Sequence, residues 1–278
     1  MISVTARPTV EAMDDLIVSE PVKVLDHGFV ELVDYMGDDA AIVQAARVSY
    51  NKGTVIKNTE EGTIRHMMRE GHTSPFEMCE IKFHVKLPIF VARQWIRHRT
   101  ANVNEMSARY SILDNEFYIP DDESNTVTDG LHTYMVKELI STLSDDSYEE
   151  YERLLSFNVT RERARMVLPT NIYTQWYWKI DLANLFHFLK LRTDNHAQWE
   201  IRQYANVIEG MVARWVPMAY KAWVDYQKEA VTLGRSQINL LNMIIRSSNF
   251  PKECPEGIEE RDFKQLKNIF NIKDQVIS

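Results

Sequence analysis

Residues 93 to 110 concentrate chemistry: Arg93-Gln94-Trp95-Ile96-Arg97-His98-Arg99-Thr100-Ala101-Asn102-Val103-Asn104-Glu105-Met106-Ser107-Ala108-Arg109-Tyr110. The stretch holds four arginines, a histidine, two asparagines, a serine and a glutamate. Polar side chains at this density do not fill a core, because a buried polar group without a partner costs free energy. Loops on a rigid scaffold are where ligand contacts usually sit. Guanidinium groups grip phosphate oxygens two at a time. Ser107 and the loop amides can donate, Glu105 can accept from a ribose hydroxyl, and Gln94 or Asn104 can read amide-like edges. Together these types suit a nucleotide-like anion. The competing reading is a solvated basic loop laced with surface ion pairs.

The rest of the chain narrows the choice. It has 278 residues, 45% hydrophobic and 26% charged, with a formal net charge of −8. An acidic whole argues against a general nucleic-acid coat. Arginines clustered inside an acidic protein point to focused recognition of a small anion. Cys79 and Cys254 are the two cysteines, too far apart in sequence to form a disulfide framework, so a reducing cytoplasm is expected. Met1 to Leu16 carries acidic residues and no long apolar run, so neither a secretory leader nor a membrane anchor is expected and the protein reads as soluble. No HExxH or paired His/Asp ligand spacing occurs, so no metal is expected and a metal-dependent hydrolase is disfavoured. No GxGxxG fingerprint marks a separate nicotinamide module.

The elements that must position the stretch are legible around it. Pro88 can open a helix carrying Ile89, Phe90, Ala92, Arg93, Trp95 and Ile96. Glu77 to Leu87 before it is the clearest strand, Ile81, Phe83, Val85 and Leu87 alternating with Glu80, Lys82, His84 and Lys86. Val22 to Leu25 and Phe29 to Val33 flank Asp26-His27-Gly28 as a hairpin. Asp38 and Asp39 open a small-residue helix, and Thr63 to Glu70 reads as a helix stopped by Gly71. His72 to Pro75 reads as loop, and residues 100 to 125 as loop with short extended pieces. Helices return at about Leu131 to Leu155 and Thr160 to Met166, and Asn171 to Trp178 reads as an aromatic strand. From Leu182 the pattern is mostly helical, with one more helix at Arg235 to Ile245 and a polar tail after Pro251. The expected fold class is α+β: a single domain with a mixed or antiparallel sheet flanked by helices and a helical C-terminal half. The expected boundaries are a loose arm at 1–21, the domain at 22–231, and an extension with a polar tail at 232–278. Cys79 reads as a buried thiol, His187 among Leu185, Phe186 and Phe188 as a packing histidine, and Tyr173 to Trp178 as core or interface rather than a base-stacking platform.

Arg97-His98-Arg99, seven residues and then Ser107 resembles the signature of the flavin-dependent thymidylate synthases. The flanks match too: Gln94 before it, Asn104-Glu105 within it, and Arg109-Tyr110 after Ser107. Gly71 to Glu77 resembles the family's flavin-side loop, and Arg165 to Pro169 a second phosphate-side segment. Leu189 to Arg192 with His196 to Glu200 resembles its substrate-activating helix. The resemblance spans roughly Val22 to Val231.

The resemblance implies an α+β homotetramer with active sites at subunit interfaces, methylating dUMP to dTMP. It implies FAD, NADPH as reductant and methylenetetrahydrofolate as carbon donor, with no nucleic-acid or membrane partner. By motif, Arg97, His98 and Arg99 contact FAD, with Arg97 also near dUMP, and Ser74, His72, Asp181, Ala183 and His187 stand on the FAD side. Glu105, Met106, Ser107, Ala108 and Arg109 form the dUMP loop, Glu105 also counting among the cofactor contacts, and Gln94 and Arg165 meet dUMP. Arg192 is the arginine facing the uracil and the expected catalytic residue. Ala183 and Asp181 depart from some relatives, which carry a polar and a neutral side chain there. The remaining rivals are a single-stranded nucleic-acid binder built from arginines and aromatics, and a flavoprotein with another reaction.

Overall fold

The computed structural model describes residues 8–48, 59–120, 130–247, 251, 253–255 and 260–270. Two compact units divide the chain, Met1–Glu229 and Ala230–Ser278.

Among the described residues the first unit has five strands: β1 (Val22–Val24), β2 (Gly28–Met36), β3 (Glu80–Pro88), β4 (Asn102–Glu105) and β5 (Tyr173–Asp181). They form one sheet in the order β1-β2-β3-β5-β4. Every pairing is antiparallel, which settles the mixed-or-antiparallel expectation. The β1–β2 hairpin turns where expected, pairing Val24 with Gly28 and holding Leu25 at φ 60°. Gly28 is obligatory by space, since a Cβ there would meet the Tyr204 hydroxyl at 2.1 Å and the Val24 carbonyl at 2.6 Å. The strict alternation of β3 buries Ile81, Phe83, Val85 and Leu87 against the helices. Its other face carries paired polar and charged groups, including His84 Nδ1 with Glu31 at 2.9 Å and Lys179 with Glu80 at 2.5 Å.

The helices of this unit are α1 (Glu11–Ile17), α2 (Asp39–Arg47), α3 (Glu60–Arg69), α4 (Ser74–Glu77), α5 (Ile89–Trp95), α6 (Gly130–Ser156), α7 (Arg161–Ala164), α8 (Leu182–Arg192), α9 (Trp199–Trp215) and α10 (Pro217–Trp223). The expected loose arm is in part the helix α1, because fully buried Met13 gives it an apolar anchor and Tyr35 Oη bonds Asp14 at 2.7 Å. The expected loop at His72 to Pro75 instead enters α4, which Pro75 helps to start and which takes Glu77 from the expected strand. Asp39 folds two elements together: its carboxylate accepts from the amides of Met218 at 2.8 Å and Ala219 at 2.9 Å at the start of α10. A second, smaller core of Leu113, Phe117, Tyr148, Tyr151, Ala164 and Ile172 joins α6 and α7 to the sheet's end.

The second unit contains α11 (Arg235–Ser247) and α12 (Glu260–Ile269). α11 lies where the sequence placed a helix. α12 lies within the expected polar tail: Phe263, Leu266 and Phe270 recur at helical spacing, and Glu260 pairs with Lys264 one turn on at 2.8 Å.

Candidate active site

The polar stretch is aimed by a buried aromatic anchor. Trp95, the last residue of α5, is fully buried and packs on Phe188 at 4.8 Å, Trp178 at 5.1 Å and Trp176 at 5.7 Å between ring centroids. The chain leaves the helix immediately afterwards, with His98 N donating to Trp95 O at 3.1 Å. His98 therefore lands on the same aromatic floor, 5.0 Å from Phe188 and 5.6 Å from His187. Arg97, His98, Arg99, His187 and Arg192 line one cavity of about 400 Å³.

Arg192 closes this cavity from the last turn of α8, where the helix's carbonyl end favours a cation. Its Nε donates to His98 Nε2 at 3.1 Å and its Nη2 to the Gln94 carbonyl at 3.2 Å. His98 must then carry its proton on Nδ1. Burial, with Arg192 and His187 adding to it, lowers the His98 pKa from 6.5 to about 4, so the ring is neutral. Both partners of Arg192 are thus neutral, and its charge is available to a ligand. Pairing with Asp194 or Glu200 does not occur: Asp194 accepts from His196 at 2.8 Å and Glu200 from Tyr118 at 3.2 Å.

α8 has a second cavity on its flank, about 310 Å³, lined by His72, Phe76, Ala183, Asn184, His187 and Gln227 among others. Gly71, which admits the left-handed turn at φ 72°, brings His72 there from α3. Asn184 and His187 line both cavities, so the two are neighbours along one helix.

The Ser107 loop is anchored elsewhere. Met106 and Ala108 pack on the second core, and Met106 N donates to the Gln175 carbonyl at 2.9 Å. Glu105 accepts from Thr174 Oγ1 at 2.9 Å. Arg161 of α7 donates to the Tyr110 carbonyl at 2.6 Å, tying the loop to the turn that carries exposed Arg165. Arg109 lies over the Tyr110 ring at 5.1 Å. Ser107 Oγ accepts from Arg109 N at 3.4 Å.

Within one chain, then, Arg97, His98, Arg99, His187 and Arg192 meet, and His72 and Ala183 join them through α8. Glu105 and Met106 line a separate cavity with His84, and neither Ser107, Ala108, Arg109 nor Arg165 lines the Arg192 cavity. Gln94 stands beside the site and bonds Gln198. Ser74 is exposed and lines none of these cavities. Asp181 caps α8, its oxygens accepting from Asn184 N at 2.9 Å and Asn184 Nδ2 at 2.8 Å. The sequence reading missed Asn184, though its spacing three residues before His187 places it on the same helix face. It also missed Gln227, which no local pattern connects to His72.

Solved structures share this architecture. A UMP/dUMP methylase, PolB from Streptomyces cacaoi, solved with 5-Br dUMP, matches with a TM-score of 0.67 and 33% identity, over 74% of this chain and 99% of that one. The antiparallel sheet and the arginine-lined cavity thus define a methyl-transferring enzyme. Residues 31–218 match the family model described as thymidylate synthase complementing protein. A flavin-dependent thymidylate synthase of Wolbachia pipientis wMel is 50% identical over 96% of this chain and 98% of that relative. One from Ruegeria pomeroyi is 51% identical over 88% of this chain and 86% of the relative. The chain belongs to the flavin-dependent thymidylate synthase family.

Proposed function

We propose that the chain methylates dUMP reductively to dTMP in the cytoplasm, with methylenetetrahydrofolate as carbon donor and FAD, reduced by NADPH, as hydride donor. The meeting of Arg97, His98, Arg99, His187 and Arg192 on one cavity, continuous along α8 with the His72 cavity, carries this reading. The donor set fits a flavin nucleotide. Among the described residues Arg97 and Arg99 have no carboxylate partner, which leaves two guanidinium groups for a diphosphate. Met67, Phe76 and Phe186 give the neighbouring cavity apolar walls suited to a flat ring.

In this reading Arg97, His98, Arg99, His72, Ala183 and His187 hold FAD, with Ser74, Glu105 and Asp181 approaching from its edge. Gln94, Arg97, Glu105, Met106, Ser107, Ala108, Arg109, Arg165 and Arg192 hold dUMP. The flavin, when bound and reduced, supplies the hydride for the uracil ring. Arg192 is a fixed cation beside the uracil imide, favouring loss of its proton and stabilising the negative charge that develops on the ring. Arginine suits this role because it stays charged. No protein nucleophile is used. Burial, then Asp38 and Asp39, push the Cys79 thiol up to about 12, and a serine needs an adjacent base, while among the described residues Ser107 Oγ meets only the Arg109 amide. The separation of the Ser107 loop and Arg165 from the Arg192 cavity supports a homotetramer whose sites are completed between subunits.

Two measurements test the proposal. The purified protein carries a flavin absorption band, and it releases tritium from 5-tritiated dUMP when given methylenetetrahydrofolate and NADPH. A colourless protein that cannot take up FAD sinks the reading, as does a flavoprotein that releases none. Arg97→Ala and Arg99→Ala each weaken FAD or dUMP binding by ~1.5–3 kcal/mol.

A further inference from the structure

The end of α10 departs from regular geometry at one place, and that place faces the His72 cavity. Val224–Lys228 is a π-helix, with Glu229 N donating to Val224 O at 2.9 Å. Such insertions are uncommon and recur at functional sites, because the wider turn re-aims side chains out of the helical rows. Here Gln227 joins His72, Phe76, Asn184 and His187 in lining the cavity.

The turn is held from outside. Arg65 of α3 bonds both Asp225 and, at 3.0 Å, the Tyr226 hydroxyl, and its guanidinium lies 4.8 Å from the Tyr226 ring centroid. Lys228 pairs with Glu209 of α9. Gln227 itself sits between these clamps, half-buried, and Nε2 donates to the Met68 thioether at 2.9 Å. A thioether is a weak acceptor. Among the described residues the Gln227 carbonyl accepts from nothing. A rigidly mounted amide with a free acceptor and an exchangeable donor, beside apolar walls, is built to meet an edge that carries a donor next to an acceptor.

We infer that Gln227 is a recognition residue of the His72 cavity, its amide pairing with the lactam edge of a planar heterocycle. This rests on the flavin and folate reading above and goes beyond it, since none of the motifs that carry that reading contains Gln227. A lactam edge, a ring N–H beside a ring carbonyl, occurs both in a flavin and in a pterin. The Gln227 carbonyl accepts from the ring N–H, and Nε2 turns from the thioether to the ring carbonyl. The π-helix is then the device that puts the amide in register with the ring plane.

The test uses the full chain stripped of flavin, as wild type and as Gln227→Leu and Gln227→Met. FAD binding is titrated by quenching of flavin fluorescence, and KM is measured for methylenetetrahydrofolate and for dUMP. Losing a pair of neutral hydrogen bonds raises one constant by about tenfold. A rise in the FAD dissociation constant identifies the flavin as the ring, and a rise in the folate KM identifies the pterin. The dUMP KM stays unchanged. Gln227→Met keeps the bulk against Met68 without the amide, so it shows the same loss. The inference is overturned if neither constant moves by more than twofold in Gln227→Leu, or if Gln227→Met behaves as wild type, which would make Gln227 a packing residue. A wild-type chain that binds neither FAD nor folate overturns the functional reading itself, and this inference with it.

Discussion

Arg192→Ala separates stability from turnover most sharply. The side chain is half-buried and donates two hydrogen bonds, to His98 Nε2 at 3.1 Å and to the Gln94 carbonyl at 3.2 Å. A bond from a charged donor is worth about 1.5–3 kcal/mol when dry, and partial exposure reduces each here to about 1 kcal/mol. Removing both costs roughly 2 kcal/mol of folding, a fall in Tm of about 4–8 °C for a chain of this size. A fixed cation that stabilises charge developing on the substrate is worth ~10²–10³ in turnover. The variant therefore folds and binds FAD, yet releases tritium from dUMP ~10²- to 10³-fold more slowly. Arg192→Lys falls between, because one ammonium cannot reach His98 and Gln94 together and still face the cavity. The assay is tritium release at saturating dUMP, with the flavin spectrum and a thermal melt as controls. Near-normal turnover in Arg192→Ala refutes the reasoning, because the geometry offers that cavity no other cation from α8.

Further outcomes follow from the same geometry. His98 has its pKa lowered from 6.5 to about 4, so the unfolded chain binds the extra proton and stability declines as pH falls from 6.5 toward 4. His98→Gln keeps an acceptor for Arg192 and flattens that slope in denaturant titrations, whereas an unchanged slope would mean His98 is not the group. Asp181→Ala removes the α8 cap and costs about 0.5–2 kcal/mol in thermal melts, and FAD affinity changes less than in Arg97→Ala. Cys79→Ala with Cys254→Ala keeps most of its turnover, and a covalent dUMP adduct on Cys79, Cys254 or Ser107 seen by mass spectrometry would count against the direct-hydride scheme. NADPH and methylenetetrahydrofolate compete for one open face of the site, giving ping-pong-like kinetics, and a stable ternary complex would contradict this.

The elements nearest the chemistry were legible because local patterns determine them. β3 alternates with period two, Pro88 ends it and stands at the N-cap of α5, and the Asp26-Gly28 hairpin and the Gly71 stop follow from turn chemistry. α12 was illegible by average polarity, although Phe263, Leu266 and Phe270 keep a narrow apolar stripe. Asp181 shows how one residue type can answer two local demands. A carboxylate just before Leu182 is both a plausible ligand contact and a strong helix cap, and the structure shows it capping α8. Gln227 lies far from His72 in sequence, and a π-helix has no periodic signature, so tertiary structure alone brings them together.

α8 explains why the pieces can act together at all. Its buried face, Leu182, Leu185, Phe186, Phe188 and Leu189, is locked into the core, so the helix cannot roll. Asp181 fixes its first turn, and Arg192 is held in its last turn by two neutral acceptors. Ala183, Asn184 and His187 lie between on the open side, the last two shared by both cavities. A ligand seated against His72 and one seated against Arg192 are therefore referred to a single rigid body. Met106 and Ala108, either side of Ser107, and Ala164, beside Arg165, belong to a different core, the one that joins α6 and α7. Under the proposed homotetramer, a second copy of the chain would present contacts from that core to a ligand in the Arg192 cavity. In the proposed reading the cavities along α8 would fix the two rings relative to one another, and the loop from the other core would select the nucleotide.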